Sequence, residues 1–274
     1  MYYNIIMKIM YGKRDNHINV TQIALEKCIN KDGILFIPSD NHKRAAIFTD
    51  SLVNTQKSIF VELDGNITEY NINQEIELTI IKYMEPFFNP NDKSMFYKYL
   101  NTCKYYFEYG SGGSTYHASM RDNIKLMYSI ESDLAFINKV KQNIENKPYI
   151  NLIHIDMKTK INTWGYPGEE SCIYDWNKYS GAILEIDKAK ALKIDLILID
   201  GRFRVACCLK CCNIINDNCY IIFDDFLNRP EYHICLNYYN IIEQTPDNCM
   251  VILQKKQTSP PSLEIINKYE QIPD

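Results

Sequence analysis

Acidic side chains stand directly after four apolar segments of this 274-residue chain. Each segment has the length and the continuous apolar character of a strand that is buried on both faces of a parallel sheet. The acids are Glu131, Asp156, Asp200 and the pair Asp224 and Asp225. Because parallel strands end at one edge of a sheet, and ligands bind outside these ends, we expect the acids to border a shared polar cleft.

A glycine-rich turn joins a further apolar segment, residues 105–109, to the beginning of a predicted helix. The turn contains Gly110, Ser111 and Gly112. Glycines allow a ligand to approach the backbone closely, and the free N–H groups at a helix beginning favour polar or anionic groups. Glu131 ends the next strand, where a carboxylate can accept hydrogen bonds from both hydroxyls of a ribose. A strand, a glycine turn and a helix in this order predict a nucleotide-type cofactor site.

Asp200, Asp224 and Asp225 end two segments that are predicted to be adjacent strands. Such strands end about 5 Å apart, so we expect the three carboxylates to converge, and hard oxygen ligands suit Mg²⁺. Arg202 and Arg204 follow Asp200 closely. They favour either an anionic, phosphate-bearing acceptor or a pairing with the acids that replaces the metal, and the sequence leaves both interpretations open. In a third interpretation, Asp224 caps a helix and Asp225 faces solvent.

The alternation of predicted strands and helices after residue 92 indicates an α/β fold. The predicted strands cover residues 105–109, 125–130, 150–155, 194–199 and 220–223, and a hairpin of 238–244 and 250–255 follows them. Together they predict a Rossmann-like, mostly parallel sheet with an antiparallel C-terminal strand. Short apolar runs between turns predict a small β-rich domain over residues 1–82, which leaves 83–274 for the α/β domain.

The predicted connection over residues 157–193 is long for a compact domain and contains both tryptophans of the chain, Trp164 and Trp176, together with Tyr166. Aromatic faces stack on sugar rings, and long loops above a cleft often act as lids. Core packing beneath the loop is an equally good interpretation. The connection is therefore a candidate for acceptor binding.

Composition and charge restrict the functional classes. The formal net charge of −4 argues against nucleic acid, and no stretch is apolar for long enough to span a bilayer. The N-terminal residues are a poor signal peptide, so a cytoplasmic setting is expected.

Four clustered cysteines form either a zinc site or a set of small side chains packed on the sheet, and their division between two helix faces favours packing. They are Cys207, Cys208, Cys211 and Cys212.

Three basic residues, His42, Lys43 and Arg44, follow a turn in the N-terminal domain. They form either an anion site or a solvated loop, and the solvated loop is favoured. A role in dimerisation or in carbohydrate binding is left open for this domain, so a homodimer is one expected assembly.

The glycine turn resembles that of the class I S-adenosylmethionine-dependent methyltransferases. Their first strand ends in an acid-x-Gly-x-Gly pattern, which here reads Glu108-Tyr109-Gly110-Ser111-Gly112. The acid that ends their second strand matches Glu131. The resemblance implies that S-adenosylmethionine is the cofactor. The residues implied to bind it are Glu108, Gly110, Ser111, Gly112, Glu131 and Asp156.

Residues 196–201 and 221–226 look like the metal-binding segments of metal-dependent sugar O-methyltransferases, and the macrocin O-methyltransferase group is the most similar. That group usually has a further acid where this chain has Arg202. Residues 200–206 and 229–233 also resemble methyltransferases in the polysaccharide gene sets of bacteria and giant viruses. The implied ligands of Mg²⁺ are Asp200, Asp224 and Asp225.

The resemblance implies transfer of a methyl group to a sugar hydroxyl, on a nucleotide sugar or a glycan, in polysaccharide biosynthesis; a viral protein would act in the host cytoplasm. Asp200 and His233 are the predicted catalytic residues, with His117 and His154 as competing bases. A nicotinamide-dependent oxidoreductase, a non-catalytic cofactor-binding module and a methyltransferase with another small-molecule acceptor are the alternatives. The predicted acceptor contacts are Arg202, Arg204, Trp164 and Tyr166.

Overall fold

The computed structural model describes residues 8–28, 34–49, 52, 55–63, 65–79, 84–160, 163–247 and 249–274. The chain divides into two compact units, residues 1–83 and 84–274. The sequence places this boundary after residue 82.

The first unit is built from antiparallel strands and two helices. Its elements are β1 (Lys8–Lys13), β2 (Asn16–Asn19), α1 (Thr21–Lys27), β3 (Ile34–Ile37), α2 (Asn41–Phe48), β4 (Ser58–Leu63), β5 (Asn66–Tyr70) and β6 (Ile76–Thr79). Four strands form one sheet in the order β2-β1-β4-β5, and β3 pairs with β6. Ile9, Tyr11 and Ile59 are among the fully buried residues of its core.

The predicted solvated loop at residues 42–44 is wrong, because these residues lie in α2. Asp40 begins the helix by accepting a hydrogen bond from the backbone N–H of Lys43. Arg44 is fully buried, and its guanidinium donates to the backbone carbonyls of Pro38, Asn71 and Gln74. This arginine therefore ties the helix to two chain segments and is not free to bind an anion.

The second unit alternates strands and helices. Its elements are α3 (Pro90–Leu100), β7 (Tyr105–Tyr109), α4 (Gly113–Ser119), β8 (Leu126–Glu131), α5 (Leu134–Gln142), β9 (Ile150–His154), α6 (Ile173–Ser180), α7 (Lys188–Ala191), β10 (Leu196–Ile199), α8 (Arg204–Cys211), β11 (Tyr220–Phe223), β12 (Tyr239–Gln244), β13 (Val251–Lys255) and α9 (Leu263–Tyr269), with 3₁₀ helices at Ala182–Glu185 and Pro230–Asn237.

Seven strands of this unit form one sheet in the order β12-β13-β11-β10-β7-β8-β9. The strands from β7 to β11 are parallel, whereas β13 lies antiparallel between β11 and β12. All four residues of β10 are buried, because the strand packs on an apolar core on each face of the sheet. The predicted Rossmann-like, mostly parallel sheet with an antiparallel C-terminal strand is confirmed.

The predicted long connection is not an open loop, because α6, a 3₁₀ helix and α7 occupy most of its second half. Trp176 stacks on Phe203 with ring centroids 5.7 Å apart, and Tyr179 is buried in the core. The core-packing interpretation thus holds for Trp176.

The four clustered cysteines are buried in and next to α8, as expected of packing residues. Among the residues that the structure describes, no helix combines the length and the apolar character needed to cross a membrane.

Candidate cofactor and acceptor site

The glycine turn lies where β7 and β10 end side by side. Gly110 has a φ of +92°, which favours glycine, and a Cβ there would lie 2.9 Å from the backbone oxygen of Asp200. A Cβ on Gly201 would lie 3.0 Å from the backbone nitrogen of Gly110. The two glycines therefore let the two strand ends approach each other closely.

Glu108 is fully buried beneath the turn. Its carboxylate accepts hydrogen bonds from the hydroxyls of Tyr106 and Ser114, at 2.8 and 2.7 Å, and from the Thr115 hydroxyl. Burial raises the pKa of this carboxyl, and the Thr115 and Ser114 hydroxyls oppose the shift. The predicted cofactor contact of Glu108 needs correction, because the side chain faces inward and positions the turn and the first residues of α4.

Glu131 faces the same turn from the end of β8. Its Oε2 accepts from the backbone N–H of Ser111 at 3.0 Å, and its Oε1 accepts from the backbone N–H groups of Ser132 and Asp133 at 2.7 and 2.9 Å. Burial raises the pKa of Glu131, and these three N–H groups oppose the shift. Oε2 receives one hydrogen bond from the described residues and has a second lone pair for a ligand hydroxyl.

Two chain segments, residues 84–89 and 163–168, cover the turn and Glu131. A Cβ on Gly113 would overlap the backbone at Glu85, and a Cβ on Gly165 would lie 2.7 Å from the Ser132 hydroxyl. Phe87 and Trp164 are 90% and 76% exposed, and their ring centroids are 5.8 Å apart. The two segments thus meet through an aromatic pair in solvent.

The residues around the turn fit an adenosine-type cofactor on two counts. The Glu131 carboxylate is held at the turn with acceptor capacity remaining, and Gly112 has only the Phe136 ring, at 3.8 Å, near the position of a Cβ. Asp156 contributes less clearly. It is half exposed, and it accepts hydrogen bonds from the backbone N–H and the ammonium group of Lys158. Its role towards the adenine stays a prediction.

The predicted carboxylate trio converges, and the side chain at its centre is Arg204. Nη2 of Arg204 lies 3.1 Å from Oδ1 of Asp200, and Nη1 lies 3.4 and 3.3 Å from Oδ2 of Asp224 and of Asp225. The carboxyl groups of Asp200 and Asp224 interact electrostatically. A second arginine, Arg229, donates to Asp225 at 2.9 Å. Two guanidinium groups thus oppose three carboxylates.

Two of these carboxyl groups, those of Asp200 and Asp224, have pKa values shifted by this arrangement. Burial raises the pKa of Asp224 to about 8, and the neighbouring Asp200 adds to the shift. Burial also raises the pKa of Asp200, while Arg204 opposes that shift. The carboxyl group of Asp224 therefore favours its protonated form near neutral pH.

The trio does not fit a bound Mg²⁺, and the predicted metal site is corrected here. A guanidinium group already contacts an oxygen of each carboxylate, at the place where a cation would bind. For the same reason, Arg204 does not have the predicted acceptor role, because its side chain points into the trio and is 7% exposed. The interpretation in which an arginine replaces the metal is the one that the contacts support.

The other predicted acceptor residues are Arg202, Trp164 and Tyr166. Arg202 donates from Nε to the backbone oxygen of Trp164 at 3.0 Å, and from Nη1 to the backbone oxygen of Asp274. The carboxylate of Asp274 accepts from the backbone N–H of Arg204 at 3.0 Å. Trp164 and Tyr166 are exposed. Their contacts with an acceptor stay predictions.

The three candidate histidines have different surroundings. His233 contacts the Phe226 ring, and its Nε2 is buried with no hydrogen-bond partner in the described part of the chain. Burial lowers the pKa of His117 to about 4, and its Nε2 lies 3.3 Å from the Tyr97 hydroxyl. His154 lies 3.1 Å from the backbone oxygen of Ser132. A catalytic role for His233 stays a prediction.

Several residues of the site were missed from the sequence. The pairing of Arg204 with the acids is not among them, because it is one of the interpretations that the sequence leaves open. The hydroxyls of Ser114 and Thr115, directly after the glycines, were a usable signal for a buried acceptor beneath the turn. No feature of the sequence indicates that Gly165 covers Glu131.

The fold is similar to that of a solved methyltransferase-like protein. A methyltransferase-like protein from Silicibacter pomeroyi superposes with a TM-score of 0.59 at 22% identity, over 69% of this chain and 98% of that protein. The fibrillarin pre-rRNA processing protein of Methanococcus jannaschii has a TM-score of 0.43 at 14% identity, over 84% and 96% of the two chains. No family model matches the chain, and no curated protein matches it in sequence. At these identities the similarity concerns the fold.

Proposed function

We propose that the protein is an S-adenosylmethionine-dependent O-methyltransferase. The observation that carries the proposal is the buried Glu131 carboxylate, which is hydrogen-bonded to the backbone N–H of Ser111 at the glycine turn of a methyltransferase-type sheet. A carboxylate at this strand end is suited to the hydroxyls of a ribose. When bound, the cofactor supplies an electrophilic methyl group on a sulfonium.

The proposed acceptor is a sugar hydroxyl of a nucleotide sugar or a glycan. Trp164 and Tyr166 offer exposed aromatic faces close in sequence to Gly165, which covers Glu131. Arg202 is the cation that remains for an anionic group of the acceptor, because Arg204 is directed to the carboxylates. The aromatic and cationic groups together favour a sugar that carries a phosphate or a carboxylate.

The chain's own residues supply orientation and a proton acceptor. Asp200 lies beside Gly110 at the strand end, and its side chain is 30% exposed. We assign to Asp200 the role of the base that accepts the proton of the acceptor hydroxyl. His233 is a further candidate base. Positioning of the hydroxyl and removal of its proton are the two contributions that a methyl transfer to oxygen requires.

Methyl transfer from isotopically labelled S-adenosylmethionine to a panel of nucleotide sugars tests the proposal. We expect label in at least one sugar with the wild-type protein, and loss of turnover with near-normal cofactor binding for Asp200→Asn. Thermal unfolding with S-adenosylhomocysteine or with NAD provides the comparison with an oxidoreductase. Stabilisation by NAD alone would contradict the proposal, and cofactor binding without transfer to any acceptor would favour a non-catalytic module.

A further inference from the structure

We propose that Arg204 is a built-in cation that organises the three aspartates, so that the acceptor hydroxyl loses its proton without a divalent metal. The inference rests on the proposed methyltransferase function for its chemical consequence. Its structural part concerns only which cation the trio binds, and this part can be tested without any methyl transfer.

The Arg204 guanidinium uses its donors almost completely within the trio. Besides the three carboxylate contacts, Nη1 donates to the backbone oxygen of Asp224 at 2.8 Å, and Nε donates to the backbone oxygen of Gly201 at 3.1 Å. Both backbone oxygens belong to the strand ends that carry the acids. The planar, permanently charged group therefore fixes the two strand ends relative to each other as well as their carboxylates.

The local backbone is shaped to hold this cluster. Phe203, immediately before Arg204, has a φ of +53°, and Asp225 has a φ of +58°. Left-handed conformations are unfavourable for a non-glycine residue and persist where the surroundings enforce them. The Phe203 ring is fully buried against Trp176, so the beginning of α8 has a fixed position. These features direct Arg204 towards the strand ends.

Charge leaves little attraction for a further cation. The three carboxylates are opposed by the Arg204 and Arg229 guanidinium groups, which lie 2.9–3.4 Å from their oxygens. A divalent ion that coordinates Asp200 and Asp224 would lie next to a guanidinium in a poorly solvated site. The ion and the guanidinium would repel each other strongly, because the surroundings screen charge less than bulk water does. Metal binding therefore requires that Arg204 leave.

In the proposed methyl transfer, atoms and charge are conserved without a metal ion. The acceptor O–H bond breaks, and its proton moves to a carboxylate oxygen of Asp200. The acceptor oxygen forms a bond to the methyl carbon, the C–S bond breaks, and its electron pair stays on sulfur, which becomes a neutral thioether. Arg204 is a positioning residue in this step, because it holds Asp200 and stabilises the trio as its charge changes.

Titration of the EDTA-treated wild-type protein with Mn²⁺, followed by electron paramagnetic resonance, tests the inference directly. We expect no stoichiometric site in the wild-type protein up to millimolar Mn²⁺. We expect Arg204→Met to gain one site in the roughly 0.1–1 mM range typical of weak oxygen-ligand sites. Arg202→Met, which changes an arginine outside the trio, is the matched control and should gain none.

The inference would be overturned by a Mn²⁺ site in the wild-type protein that is lost in Asp200→Asn. This measurement does not depend on the folding of Arg204→Met. Arg204→Lys, which keeps the charge, should resemble the wild-type protein; a new Mn²⁺ site in this variant would count against a role of the charge. If the metal results are as expected but no methyl transfer is found, the proposed function fails and the assignment of the cation remains. If transfer is found and EDTA abolishes it, the inference fails and the function remains.

Discussion

The two halves of the site bind their carboxylates in opposite ways. At the ends of β7 and β8, Glu131 is held by backbone N–H groups at 2.7–3.0 Å, and no side-chain cation contacts it among the described residues. At the ends of β10 and β11, the three aspartates are held by the side chains of Arg204 and Arg229. The first arrangement depends on the path of the backbone, whereas the second depends on two long side chains.

Because of this difference, substitutions in the two halves act on the carboxylates in different ways. A carboxylate bound by N–H groups keeps its partners as long as the turn keeps its shape, so its environment is controlled by glycines. A carboxylate bound by guanidinium groups changes its charge environment when one side chain is replaced. The halves meet at the contact between Gly110 and Asp200. A perturbation at this contact should therefore affect both.

The largest effect is expected at this contact. Gly110→Ala places a Cβ 2.9 Å from the backbone oxygen of Asp200 at a φ of +92°. We expect the free energy of unfolding to fall by about 3 kcal/mol, measured by urea denaturation, together with weaker binding of S-adenosylhomocysteine. Gly112→Ala is the control for the free energy of unfolding alone, because its φ is extended and the nearest atom would lie 3.8 Å away. Equal losses in the two variants would remove the distinction.

A smaller effect is expected from pH in the half held by arginines. The raised pKa of Asp224, about 8, means that the folded protein keeps a proton that the unfolded chain releases above its ordinary carboxyl pKa. The free energy of unfolding should therefore fall as pH rises from about 4 to 8 through this group. Asp224→Asn removes the proton uptake and leaves the other groups that contact the residue, Asp200, Arg204 and Asp225.

Urea denaturation at pH 5 and at pH 8.5 measures this contribution. The wild-type protein should lose more stability between the two values than Asp224→Asn, by at least about 1.4 kcal/mol, the equivalent of one pKa unit. Burial raises the pKa of Asp92 to about 6, so this group adds to the pH dependence of both proteins. Identical pH dependence in wild type and variant would show that Asp224 is ionised in the folded state like an ordinary carboxyl group.

The smallest effect is expected at the aromatic pair above the backbone-held half. Trp164→Ala removes the contact with Phe87, and we expect a change in stability within about 0.5 kcal/mol because the ring is exposed. Dissociation of S-adenosylhomocysteine, followed by stopped flow, should become a few-fold faster. Tyr174→Ala is the control, since this exposed ring contacts Lys178 on the same helix. Equal dissociation rates in both variants would remove the covering role of Trp164.

The sequence was sufficient for the sheet and for the position of each acid, because both depend on local patterns. Continuous apolar runs fixed β7 at residues 105–109 and β11 at 220–223, as observed. The partners of the acids depend on contacts between distant segments. The Glu85 backbone lies against Gly113, and Gly165 lies against Glu131, through chain paths that no periodicity encodes.

The choice between a metal and Arg204 was likewise beyond the sequence. Both interpretations need the same residues. Only the side-chain conformation of Arg204, at the beginning of α8, distinguishes between them. The helices within residues 157–193 were missed because their amphipathic stretches are short; α7 has four residues. The turn over residues 108–112 was located correctly, while the direction in which Glu108 points was not.

Calorimetric titration with S-adenosylhomocysteine tests the central claim most directly. We expect the wild-type protein to bind one equivalent, and we expect Glu131→Gln, which keeps the shape of the side chain, to bind at least about tenfold more weakly, as for loss of a hydrogen bond to a charged group. A thermal unfolding curve checks that the variant is folded. Wild-type affinity in a folded Glu131→Gln protein, or no binding to the wild-type protein, would contradict the account.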